Sequence, residues 1–150
     1  MTDQRAYLRI REGAFTYLLA AGRTASIEHR NSGGFEGLDD PASPLAAWHG
    51  SGDARVPVIR LGRVMQTRAG DWEYAILFGG DDGIGLAAEH IHLVPESGIP
   101  DIQPFRPAGC SLAGGPVISG LCPGIDPEYL VLDTSRLELC LRRAVEGSTT

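Results

Sequence analysis

The chain has 150 residues, 43% hydrophobic and 21% charged, with a net charge of −6. That length suits one domain or two tightly joined subdomains, with a core large enough to need no disulfide or metal staple. Acidity without a basic cluster argues against nucleic acid and against anionic membranes as partners, and all thirteen basic residues are arginine. No apolar run approaches the roughly eighteen residues of a membrane span. The N-terminus is charged and lacks the apolar core of a signal peptide, so no membrane insertion and a cytoplasmic location are expected. Cys110, Cys122 and Cys140 form no C-x-x-C pair and read as buried thiols of a reducing compartment.

Residues 1–13 read as a tail or a short lead-in helix. Phe15–Ala20 is a strand ended by Gly22, and Thr24–His29 is a second, with Ala25 and Ile27 on one face. Residues 31–53 are rich in Gly, Pro, Ser and Asp, and only Phe35, Leu38, Leu45 and Trp48 are bulky and apolar. A connection so long is either a binding loop or a set of short strands blurred beyond recognition. Residues 55–61, RVPVIRL, are β-like with apolar side chains on both faces. Pro57 lacks an N–H and places that run at a strand start, an edge or a bulge. Residues 62–67 are a turn or a single helical turn.

The strongest local signal is residues 74–94. Two apolar runs, Tyr74–Phe78 and Ile84–Ala88, flank Gly79-Gly80-Asp81-Asp82-Gly83, a β-hairpin pattern whose second strand is expected to continue through Ile91 to Val94. Residues 95–107 hold four prolines and form an extended segment barred from a sheet interior. Residues 116–121 pair with Tyr129–Leu132. Ser135, with Glu138 three residues on, is the expected cap of a closing helix whose Leu137, Leu141 and Val145 share one face. Seven or eight short strands and one helix make the chain mainly β, as small barrels or a sandwich.

A search for chemistry gives little. His90 and His92 lie on one face of a strand and are half of a possible metal site in a small β-barrel protein or enzyme, but no third ligand has diagnostic spacing. There is no G-x-S-x-G elbow, and Cys110-Ser111 has no His near it in sequence. Neither GGDDG nor the GSGD at residues 50–53 matches a phosphate-binding or dinucleotide loop, so no cofactor is expected. No catalytic constellation emerges.

Taken as a whole, the chain resembles the CheW-like domains, the adaptor fold of bacterial chemosensory arrays. VPVIRLGRVM is similar to a strand ending in P-V-x-D-L, and residues 74–107 to the strand, turn, G-L-x-V-D-x-V strand and Pro-rich segment that follow it. ISGLCPGIDPEYLVLDTSRLEL is similar to the family's closing hairpin and L-x-L-D-x-x-x-L. The resemblance implies two intertwined, five-stranded SH3-like barrels with a short C-terminal helix, over residues 14–146. One barrel would take about residues 29–83 and the other 14–28 plus 84–146, leaving 1–13 and 147–150 as tails. GGDDG would then mark the crossover between barrels.

The resemblance also implies a non-catalytic scaffold. Its partners would be the cytoplasmic tip of a methyl-accepting chemoreceptor and the regulatory domain of a CheA histidine kinase. Expected to line the receptor groove are Ile27, Phe35, Leu38, Ile84 and Leu86. For Ile84 and Leu86 plain core packing is the stronger reading, whereas Phe35 and Leu38, apolar in a polar stretch, point to the surface. The kinase-facing positions would be Trp48, Asp53 and Arg60. Here the sequence departs from the pattern: the N-x-R-G turn is shortened to WHGSGD, Arg60 replaces the Asp of P-V-x-D-L, and the V-D pair is lost around residues 87–89. Receptor binding with weakened kinase binding is the corresponding expectation.

Overall fold

The computed structural model describes residues 6–38, 43–50, 55–65, 70–79, 83–99, 101–104, 117–122 and 128–148. Asp53, Cys110, Ser111 and residues 80–82 of GGDDG lie outside them.

Strand β1 (Ala6–Glu12) follows from a period-two pattern: Leu8, Ile10 and Glu12 are buried while Arg9 and Arg11 are exposed. The expected tail or helix is therefore a strand, and a central one. Gly13, at φ 63°, allows the two-residue turn into β2 (Phe15–Ala20), with Glu12 opposite Phe15. β3 (Thr24–His29) comes next. The long polar stretch then resolves into two short strands, β4 (Phe35–Gly37) and β5 (Leu45–His49). β6 (Val56–Arg60) leads into the single turn α1 (Leu61–Val64), and β7 (Tyr74–Phe78) pairs with β8 (Ile84–Ala88) as the hairpin expected. After β9 (His90–Pro95), the proline-rich segment contributes only the edge strand β10 (Gln103–Pro104). β11 (Ile118–Cys122), β12 (Tyr129–Leu132) and α2 (Thr134–Ser148) close the chain. The cap of α2 is Asp133 and not Ser135: Arg136 N–H donates to Asp133 Oδ1 at 2.9 Å.

The fold is mainly β, with two barrel-like sheets of six strands each, one more than the five expected. The first runs β10-β11-β12-β2-β1-β9 and the second β3-β7-β8-β6-β5-β4. Two strands change places relative to the expectation. β3 pairs with β7, so it joins the second sheet and not β2. β8 stays with β7 and β6, so both arms of the hairpin belong to one sheet. The chain crosses over at Glu89, where the expected continuous strand 84–94 breaks in two and β9 leaves to pair with β1.

Three apolar clusters result. The central one lies between the sheets and combines Leu8, Ile10, Tyr17 and Leu19 of the first with Ile59, Ile76, Ile84 and Leu86 of the second. Leu137, Cys140 and Leu141 of α2 seal it. The outer face of the second sheet encloses Ala47, Val58, Trp72, Ala75 and Ala87, with Phe35 against them. The outer face of the first encloses Leu18, Cys122 and Val131 under Ile99 and Ile102. The second sheet's margins approach each other: Glu28 Oε2 on β3 lies 3.2 Å from His49 Nε2 on β5, and the Phe35 and Trp72 rings meet edge-on at 5.2 Å. No helix among the described residues is long and apolar enough to cross a membrane.

Candidate functional site

The five residues expected in the groove do not form one surface. Ile84 and Leu86 are 2% and 0% exposed and belong to the central core, so a partner could not reach them. Ile27, opposite Ile76 on β7, and Leu38, whose N–H donates to the Ala46 carbonyl at 3.1 Å, are half-buried against that core. Phe35 lies on the other face of the second sheet, between Trp72 and His49. Ile27 and Leu38 nevertheless keep part of their surface accessible at the margin of that core. Trp48, Val64, Met65 and Tyr74 are likewise half-buried around the same core. Val64 and Met65 come from the single helical turn α1 and its end, too short to leave an amphipathic pattern in sequence.

Of the residues expected to face the kinase, Trp48 and Arg60 are also separated, and Asp53 lies outside the described residues. Trp48 points toward the central core, its ring covered by the Arg55 guanidinium at 4.1 Å, a cation–π contact. Arg60 points to the opposite face of the second sheet, because Ile59 beside it on β6 takes the central-core face. It is 8% exposed, and its guanidinium is turned into the protein.

What Arg60 meets there is Glu12, fully buried at the end of β1. Arg60 Nε and Nη2 donate to the Glu12 carboxylate at 2.9 and 3.1 Å, a two-pronged pair. The same carboxylate accepts Gly62 N–H at 2.8 Å and Glu89 N–H at 3.3 Å, so each oxygen has two donors. Glu89 in turn accepts Gly13 N–H at 2.6 Å, and Arg60 Nη2 also donates to the Gly70 carbonyl. This clasp gathers the β1–β2 turn, the start of α1 and the Glu89 crossover at one point between the sheets. A buried carboxylate is tolerable because every lone-pair site is used.

Beside it is a recess of about 210 Å³, lined by Arg30, Arg60, Arg63, Asp71, Trp72 and Leu38, with Ala46. Arg30 lies over the Trp72 ring at 5.0 Å and donates to the Trp72 carbonyl at 3.3 Å, while Arg63 donates to the Ser43 and Leu45 carbonyls. Among the described residues the recess offers cationic donors and no nucleophile–base pair. Burial raises the thiols of Cys122 and Cys140 above the ordinary value, Arg143 pulling the second back in part, so both are poor thiolates. His90 and His92 stack on β9 with ring centres 6.4 Å apart, and among the described residues no third acid, thiol or imidazole joins them.

Neither a family model nor a curated protein sequence matches this chain. Solved structures do. The chain is similar to the scaffolding protein TtCheW from Thermoanaerobacter tengcongensis, with a TM-score of 0.62 and 14% identity, over 87% of this chain and 89% of that one. Two sheets about a shared core, a crossover between them and a closing C-terminal helix therefore make this a divergent chain of CheW-like fold.

Proposed function

We propose that the protein is a non-catalytic cytoplasmic adaptor of a chemosensory array. In this reading it binds the cytoplasmic tip of a chemoreceptor and helps organise receptor–CheA histidine kinase assemblies, with a weakened hold on the kinase. The observation that carries the reading is the CheW-like arrangement along 87% of the chain, shared with a scaffolding protein. The margin of the central core supports it: Ile27, Leu38, Trp48, Val64 and Met65 are apolar, half-buried and packed against that core, the kind of side chain an amphipathic helix can cover. Weaker kinase binding is supported by Arg60, whose side chain goes to Glu12 where the family motif has an acidic residue near a surface turn.

The test is a pair of binding titrations with the purified protein, one against a receptor tip and one against a kinase regulatory domain. The reading expects saturable receptor binding, reduced by Met65→Glu, and kinase binding well below that of an ordinary family member. Absence of receptor binding would overturn the adaptor assignment, and full kinase affinity would overturn its second half.

A further inference from the structure

Strand β9 is the last strand of the first sheet, and among the described residues nothing pairs with its outer side. The outward N–H and C=O groups of its backbone therefore have no strand partner among the described residues, and such an edge is the ordinary template for strand addition. Beside that edge the pairing assembles four side chains that are scattered in sequence. Arg9 lies opposite His92 and Arg11 opposite His90, all four exposed. Neither arginine is in an ion pair such as His49–Glu28 or Arg60–Glu12 among the described residues. Two arginines at i, i+2 facing two imidazoles repel or at best ignore each other, so the patch adds nothing to the sheet's own stability. On the other face of β9, Leu93 is 63% exposed although its partner Leu8 is fully buried.

We propose that the β9 edge is a docking site for an extended acidic segment of a partner protein, added as a further strand. The register rule of a sheet specifies the segment: carboxylates at alternate positions would lie beside His90, His92 and, one strand further in, the two arginines, and apolar residues between them would cover Leu93. A second copy of this chain does not suit the edge, because β9 against β9 sets His90 and His92 against the same two imidazoles and brings no carboxylate to the arginines. Nucleic acid does not suit it either, because a net charge of −6 opposes a polyanion while four local groups suffice for a short acidic peptide. This site is independent of the adaptor reading, since it rests on the edge and its charges alone.

The test uses the full chain and a labelled peptide of alternating Glu and Val, followed by fluorescence anisotropy at low salt. Three probes separate the contributions: the peptide, its Gln-for-Glu counterpart, and a version with alternate amides N-methylated. The wild type is expected to bind the first, and both others about tenfold more weakly or less. R9E/R11E is expected to lose about tenfold with an unchanged melting temperature, since both sites are exposed. H92E, also exposed, serves if the double variant does not fold. Binding unaffected by N-methylation, or by the reversed charges, overturns the proposal, as does dimerisation of the wild type through β9. Receptor-tip binding by R9E/R11E should stay at the wild-type level, so the outcome is separable from the fate of the adaptor reading.

Discussion

Glu12 shows how much one carboxylate can organise. Its four accepted hydrogen bonds come from three separate points in the chain, and Arg60, 48 residues away, supplies two of them. Removing one partner leaves the other charge buried and unmatched, which costs far more than the pair gains over an apolar substitute. Glu12→Gln should therefore lower unfolding stability by roughly 3–5 kcal/mol in urea titrations, and E12L/R60M should recover much of that loss. A Glu12→Gln variant within about 0.5 kcal/mol of wild type would show that the clasp is idle. None of this was legible in the sequence. A spacing of 48 residues carries no local signal, Glu12 stood in a stretch read as a tail, and Arg60 suggested an altered surface charge.

At the scale of elements, legibility followed the strength of local pattern. Phe15–Ala20, Thr24–His29, Tyr74–Phe78, Ile84–Ala88 and Tyr129–Leu132 all agree with the strands found, because apolar runs bounded by turn residues leave few alternatives. β1 was missed although its alternation is plain afterwards, since arginines on the exposed face masked Leu8 and Ile10. β4 and β5 bear out the second of the two readings of that stretch but could not be placed, because three and five residues amid glycines and prolines show no period. Sheet membership was not readable where the chain crosses over: nothing in residues 84–94 says that Ile84–Ala88 and His90–Pro95 serve different sheets. Gly85 lies within β8, and its importance is lateral. A Cβ there would meet Val58 Cγ2 at 3.0 Å, Leu77 Cδ2 at 3.1 Å and the Ile76 carbonyl at 3.3 Å. Gly85→Val should destabilise by about 1–3 kcal/mol through overpacking. Gly37→Ala, with nothing within 4 Å, is the control and should change the urea midpoint little. Equal effects at the two positions would contradict the packing account.

For the whole molecule, the decisive fact is that the largest core belongs to neither sheet alone. Leu8 and Tyr17 of the first sheet, Ile59 and Leu86 of the second, and Leu137 and Leu141 of α2 share one cluster. Two independent barrels would each carry their own core and open separately, whereas a shared core makes each sheet's stability depend on the other. Leu137 is fully buried on the helix that seals this cluster. Leu137→Ala removes a fully buried side chain from the cluster that both sheets share and should cost roughly 2–5 kcal/mol. The informative readout is coincidence. Tryptophan fluorescence reports on the second sheet, where Trp48 lies on β5 and Trp72 packs on the outer face, while far-ultraviolet circular dichroism reports on both sheets and α2. If the core couples them, both probes should shift to the same lower urea midpoint in the variant, as in the wild type. A fluorescence transition that stays in place while circular dichroism moves would mean the second sheet stands alone. Under the proposed adaptor role, a receptor site that depends on the pose of the two sheets would then lack the rigidity that binding a helical tip requires.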